Sequence, residues 1–126
     1  MTTTTAASTP MTATEKRLSF IYAVIAVGAL FATWSNNLAF FALPDHGGGP
    51  LGFIQMSYAN PAAASISNDL LFICFAAFTF MVVEARKHGV RHVWVYIVLS
   101  LCIAVSVMFP LFLLARQIRI AQNRSA

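Results

Sequence analysis

Two carboxylates within one apolar segment are the residues of this chain best suited to chemistry. Asp69 and Glu84 lie near the two ends of the stretch from Asn60 to Arg86, NPAAASISNDLLFICFAAFTFMVVEAR, and are half of the four acidic residues. On a helix they would be about 22 Å apart and about 60° apart around the axis, so both can face one side. A carboxylate in hydrocarbon costs about 2.5 to 3.5 kcal/mol, which favours a position inside a bundle or cavity.

Asp69 is the candidate catalytic residue. Polar side chains at a similar depth are expected to line one pocket around it, with Asn36, Asn37 and Ser106 as orienting groups beside Ser65 and Asn68. A protonated carboxyl there could be a general acid on a lipid or isoprenoid, or part of a proton path in a transporter or channel. The alternative is a hydrogen-bonded anchor between helices, worth about 0.6 to 2 kcal/mol. We favour the anchor, so the sequence leans against an enzyme.

Glu84 has a simpler interpretation as an interfacial residue. A basic run beginning at Arg86 follows it, and an exposed ion pair there contributes little. The spacing of Glu84, His88 and His92 also resembles that of metal ligands on a helix. Gly89 interrupts this helix and no fourth ligand is apparent, so we predict no metal site. Motifs that bind phosphates, dinucleotides or other cofactors are absent from the sequence, and no cofactor is expected.

The composition excludes an ordinary water-soluble domain. The chain is 59% hydrophobic and only 10% charged, whereas soluble domains carry about 25% charged residues. Its net charge is +4, but the basic residues flank apolar segments and do not form a patch with interleaved aromatics. This distribution indicates membrane topology, with the lipid bilayer as partner, and not nucleic-acid binding.

Three apolar segments predict an all-α integral membrane bundle of three helices. The predicted spans cover about 18–43, 62–87 and 92–115 of a membrane domain at 17–117, with a short interfacial segment between the first two. Asn60 followed by Pro61 is typical of a helix start. Pro110 is expected to kink the third span, because it cannot donate a hydrogen bond to the carbonyl of Ser106.

The tails and the orientation follow from composition and charge. Residues 1–16 are predicted to be a disordered Thr-rich tail, and residues 118–126 a basic C-terminal tail. Three spans would put the two termini on opposite faces. Five basic residues then share the N-terminal face against three on the other, which favours an inner-membrane protein with a cytoplasmic N-terminus. The five are Lys16, Arg17, Arg86, Lys87 and Arg91, and the three are Arg116, Arg119 and Arg124.

Small residues inside the apolar segments suggest close packing. Cys74 and Cys102 each lie within an apolar run and are predicted to be free thiols used for packing. Gly28 and Ala32 are four residues apart on the first predicted helix. This spacing is typical of close helix contact, and it suggests a homo-oligomer or a place in a larger membrane complex.

The order of several short motifs resembles a known family. HG, FIQMSYANP, NDLL, FMVVEARKHGVRHVW and FPLFLLAR follow one another from about Pro44 to Arg116. They resemble small bacterial three-helix integral membrane proteins catalogued as domain of unknown function 2834. The positions that carry the resemblance are Asn60 and Pro61, Asp69, Glu84 to Arg86, Pro110 to Leu113, and Arg116. This resemblance implies a membrane fold but no particular activity. We expect structural or interfacial roles for these residues, except for Asp69, which is the candidate catalytic residue.

Overall fold

The computed structural model describes residues 10–126, which form helices joined by short connections and no strand. The α-helices are α1 (Ala13–Phe41), α2 (Gly49–Met56), α3 (Pro61–His88), α4 (Val93–Cys102) and α5 (Val105–Ser125), with a 3₁₀ helix at Pro44–Gly48. The predicted all-α class is confirmed, but the described residues form five α-helices where three were predicted. By length and composition, α1 and α3 are apolar enough to cross a membrane.

The helix α1 begins inside the segment predicted to be a disordered tail. Thr12 is its N-cap: its hydroxyl accepts a hydrogen bond from the Glu15 N–H at 3.2 Å, and its own N–H donates to the Glu15 carboxylate at 2.7 Å. This reciprocal pair is a capping box, which satisfies two backbone donors of the first turn. The predicted tail is therefore wrong for residues 13–16, while residues 1–9 lie outside the described part of the chain.

A left-handed turn connects α1 to the short helix α2. Five consecutive residues, Asp45 to Gly49, have φ between 51° and 81°. Three of them are glycines, which adopt this region without steric cost, and Asp and His adopt it more readily than most other residues. The turn brings α2 back against the end of α1, where the Phe40 and Phe53 ring centroids are 5.2 Å apart. A short helix thus lies between the first two predicted spans.

Replacing Gly52 with alanine is expected to open this turn. A Cβ atom at Gly52 would lie 2.0 Å from the backbone oxygen of Gly47, which cannot move without displacing the turn. The expected loss is about 1 to 3 kcal/mol, measured as a lower thermal midpoint of the purified protein in detergent. Gly28→Ala is the matched control, because a Cβ there meets nothing within 4 Å and alanine favours helix. Equal midpoints for the two variants would contradict the close approach.

The helix α3 begins and ends close to where the sequence predicts. Asn60 is its N-cap and accepts a hydrogen bond from the Ala63 N–H at 2.9 Å, while Pro61 occupies the first helical position. Gly89 ends the helix with φ 71°, a left-handed conformation that glycine adopts easily. Three basic residues occupy the last turn, where the helix dipole favours positive charge.

The predicted third span is wrong as one helix. Its chain breaks at Ile103 and Ala104, where Ala104 is extended with φ −179° and ψ 141°, and α5 then folds back along α4. The ring centroids of Tyr96 and Phe112 are 5.6 Å apart, although sixteen residues of continuous helix would separate them by about 24 Å. Pro110 lies inside α5, so the break occurs before the proline and not at it.

The folding back of α5 makes it the central helix. It packs against α1, α3 and α4, whereas α1 and α3 make at most marginal contact with each other. Phe112 of α5 is fully buried in the main cluster, with Met81 and Ala85 of α3 and Val90. Close packing of these side chains holds the hairpin against α3. The predicted basic tail at 118–126 is helical up to Ser125, as the last turns of α5.

The two described ends of the chain lie at the same end of the bundle. Arg124 near the end of α5 contacts Glu15 in the first turn of α1, so α1 and α5 pack antiparallel. The expectation that the two ends of the chain lie on opposite faces is therefore wrong for residues 10–126. The expectation failed because the predicted third span is a helical hairpin, and a hairpin returns the chain to the end of the bundle from which it started.

Candidate functional site

One end of the bundle collects the basic residues, and we call it the basic end. It comprises the first turns of α1, the end of α3 with the turn into α4, and the second half of α5. The Asn123 side-chain amide of α5 donates to the backbone oxygen of His88 in α3 at 3.0 Å, which ties two of these elements together. All eight basic residues of the chain lie here: Lys16, Arg17, Arg86, Lys87, Arg91, Arg116, Arg119 and Arg124.

Glu84 is one of two buried acids at the basic end. Its side chain is about one-tenth exposed, and Nε of Arg116 donates a hydrogen bond to its Oε2 atom. Nε2 of His88 lies 3.2 Å from the same oxygen, without the alignment of a hydrogen bond. Nζ of Lys87 lies 3.8 Å from Oε1. The Arg116 guanidinium also lies 5.9 Å from the centre of the Phe80 ring, a cation–π contact that helps to fix it.

This arrangement corrects the interpretation of Glu84 as an exposed interfacial residue. Glu84 is buried and Arg86 beside it is exposed, while the acid's main partner, Arg116, is 32 residues away in sequence. Removing the charged hydrogen-bond donor of a buried carboxylate destabilises the fold much more than breaking a surface ion pair does. Arg116 is therefore the charged partner of Glu84 at the basic end.

Glu15 and Arg124 form a second ion pair at the basic end. Two nitrogens of the Arg124 guanidinium donate to the two Glu15 oxygens, at 2.8 and 2.9 Å. Hydrogen bonding to Glu15 raises the pKa of Arg124 above its ordinary value, so the guanidinium stays charged. This pair was not predicted from the sequence, because Glu15 lies within the segment predicted to be a disordered tail. The run TATE at residues 12–15 is the capping-box signal that could have revealed the helix start.

A cleft of about 330 Å³ opens at the basic end, and we call it the arginine cleft. The α5 residues that line the cleft recur at helical spacing, so one face of that helix forms this wall. The opposite wall comes from the turn before α4 and the first turn of α4. Seven residues line it: Val90, Arg91, Tyr96, Ala115, Ile118, Arg119 and Gln122.

The predicted site residues around Asp69 lie apart from the basic end. Asp69 is exposed on the first half of α3, and no hydrogen bond or ion pair reaches it within residues 10–126. The Asn36 side-chain amide donates to the backbone oxygen of Ala32, within its own helix. Asn37 is half-buried, and Ser106 is exposed at the start of α5. The chain by itself forms no enclosed pocket of these groups, and their roles stay predictions.

The other singled-out residues also have definite positions. Cys74 and Cys102 are free thiols, as predicted, with Cys74 half-buried and Cys102 exposed. His92 caps α4 with φ 58°, so it does not share a helix with Glu84 and His88. No group of three His, Cys, Asp or Glu side chains in the described ranges is arranged to hold a metal ion.

Comparison with known proteins identifies one family. The sequence matches the profile of the family described as "Protein of unknown function DUF2834" over residues 21–118, more than three quarters of the chain. Comparison with curated proteins and with solved structures gives no match. The match includes Asp69, Glu84, Pro110 and Arg116, and it confirms the resemblance inferred from the short motifs. This chain therefore belongs to the family of proteins of unknown function DUF2834.

Proposed function

We propose that this protein is a non-enzymatic integral membrane component that acts by helix packing, as an accessory subunit or a homo-oligomer. In this proposal α1 and α3 cross the inner membrane, and the α4–α5 hairpin enters the bilayer from one side and returns. The exposed apolar side chains support embedding: Phe20, Phe31, Ile66 and Phe72 are each at least 70% exposed. So many large apolar side chains exposed on two long helices are unusual for a soluble monomer.

The charge distribution supports one orientation. The basic end holds all eight basic residues and two acids, whereas the opposite end holds Asp45 and Asp69 and no basic residue. Basic residues near membrane-spanning helices favour the cytoplasmic side. The proposed topology therefore places the basic end, with both ends of the chain, in the cytoplasm. The basic C-terminal segment then agrees with the rest of the charge pattern.

The observation that carries the proposed role is the exposure of Asp69 on an apolar helix surface. Its neighbours Leu70, Leu71 and Phe72 are also exposed, and the buried cluster lies at the other end of α3. A carboxylate on a lipid-facing helix needs a polar partner to offset an insertion cost of about 2.5 to 3.5 kcal/mol. A second copy or another subunit, packed against the first half of α3, would supply that partner.

Asp69→Leu is expected to weaken self-association about threefold to thirtyfold, the range given by one interhelical hydrogen bond of about 0.6 to 2 kcal/mol. Asp69→Asn keeps hydrogen-bonding groups and is expected to stay within about twofold of wild type. The measurement is the assembled fraction after mild solubilisation, by native mass spectrometry, as a function of protein concentration in the detergent. Asp45→Asn, an exposed acid of the connecting turn, is the matched control.

Two outcomes would contradict this role. A wild-type protein that stays monomeric and retains no other subunit would remove the need for helix packing. A lipid product that disappears from cell extracts with Asp69→Asn, while assembly is normal, would instead favour an acid catalyst. Comparing lipid extracts of cells with the wild-type protein, the variant and no protein separates these cases.

A further inference from the structure

Charge pairing at the basic end leaves four of the six arginines without an acidic partner among the described residues: Arg17, Arg86, Arg91 and Arg119. Each of the two acids there forms an ion pair with a different arginine: Glu84 with Arg116, and Glu15 with Arg124. Arg91 and Arg119 have no acidic partner within the described residues. Among residues 10–126, the Arg119 side chain donates one hydrogen bond, to the Gln122 amide oxygen at 3.3 Å. Arg91 and Arg119 are thus two of the four guanidinium groups in the described residues that have no carboxylate partner.

These two arginines line the same cavity. Arg91, from the turn before α4, and Arg119, from α5, both face the arginine cleft. A guanidinium presents a planar set of donors that binds phosphate in two-point fashion, so two of them around one cleft favour a phosphate-bearing anion. The cleft volume of about 330 Å³ lies within the range of small-molecule sites, about 300 to 1,000 Å³.

The rest of the wall suits a lipid headgroup. Val90, Ala115 and Ile118 supply apolar surface, while Tyr96 and Gln122 supply polar groups. A phospholipid presents the same sequence of chemistry, from a charged phosphate through the glycerol esters to the acyl chains. In the proposed topology the cleft lies at the cytoplasmic membrane surface, where basic pockets between helices bind anionic headgroups.

We propose that the arginine cleft binds the phosphate of an anionic phospholipid, with Arg91 and Arg119 as its ligands. The proposal rests on the membrane embedding proposed above, which carbonate extraction of membranes tests separately. The lipid site does not depend on self-association, because one chain supplies the whole cleft. If the Asp69 variants do not change self-association, the lipid site can still be tested. If the lipid site fails its test, the proposed self-association is not contradicted.

The test is a titration of the full-length protein in detergent micelles with phosphatidylglycerol, phosphatidylcholine or inorganic phosphate. Bound lipid is counted by native mass spectrometry, and stabilisation is followed as the thermal midpoint. Wild type is expected to bind phosphatidylglycerol selectively. Arg91→Gln/Arg119→Gln is expected to raise its Kd at least about tenfold. Arg17→Gln/Arg86→Gln removes two exposed charges of the basic end outside the cleft and is expected to change the Kd by less than about twofold.

Three results would overturn the site. Equal weakening in both double variants would show diffuse surface charge instead of a cleft. Equal binding of phosphatidylcholine would remove the anion selectivity. Inorganic phosphate that binds with the same arginine dependence and displaces phosphatidylglycerol would assign the cleft to free phosphate. If the cleft double variant has a lower midpoint without lipid, Arg91→Gln alone replaces it, since Arg91 is exposed, with an expected loss of about threefold.

Discussion

Arg116→Leu is expected to lower the free energy of unfolding by about 3 kcal/mol, because it leaves Glu84 buried without its charged partner. Glu84 is 8% exposed, and the neighbouring His88 and Lys87 do not replace the direct hydrogen bond from Arg116. Leucine keeps most of the aliphatic volume, so the loss of charge dominates. The measurement is the thermal midpoint of the purified protein in detergent, which should fall by roughly 10 °C.

Two further variants separate this ion pair from general packing. Glu84→Gln/Arg116→Leu removes both charges and is expected to regain most of the loss, because no unpaired charge remains buried. Lys87→Gln removes a cation 3.8 Å from the same acid, but its side chain is 66% exposed. A change below about 1 kcal/mol is expected for it. A double variant as unstable as the single one would show that Arg116 acts by packing and not by neutralising Glu84.

A cysteine appended after Ala126 is expected to resist a membrane-impermeant maleimide added to intact cells. In the proposed topology both ends of the chain are cytoplasmic, since Glu15 and Arg124 are hydrogen-bonded. Thr14→Cys should be protected in the same way. Leu51→Cys, on the exposed surface of α2 at the other end, should be labelled. The background carries Cys74→Ala and Cys102→Ala, and the expected contrast is nearly all-or-none.

The same experiment separates the hairpin from a continuous third span. If α4 and α5 were one membrane-crossing helix, the appended cysteine would be labelled from outside while Thr14→Cys stayed protected. That result would restore the topology predicted from the sequence and would contradict the hairpin. Labelling of all three positions after the cells are opened shows that each thiol is reactive, which is the necessary control.

Several local features of this fold were predictable from sequence. Asn60 and Pro61 start α3 and Gly89 ends it, because capping depends on residues within a few positions of each other. The lengths and apolar character of α1 and α3 also follow from the chain, since an apolar run is a local property. The start of α1 was missed, although Thr12 and Glu15 carry its capping signal.

The arrangement of the candidate sites, in contrast, was not predictable from sequence. The sequence singled out Glu84 but assigned it a local, exposed partner, and it placed Arg91 and Arg119 only as topology markers. Their arrangement depends on which way α5 runs. The hydropathy of residues 92–115 is equally compatible with one crossing helix or a hairpin, because hydropathy does not record the break at Ile103 and Ala104. Burial of Phe112 against Met81 decides between the two.

The sequence alone therefore determined that this is an all-α, apolar chain, and it revealed the family, although it predicted three membrane spans where the described part of the structure has two helices of spanning length. Those properties reside in composition, run length and short motifs. Only the tertiary structure decided that α5 returns to the basic end. That return pairs Arg116 with Glu84 and Arg124 with Glu15, across 32 and 109 residues. Contacts at such separations follow from packing of the whole chain, and no local pattern specifies them.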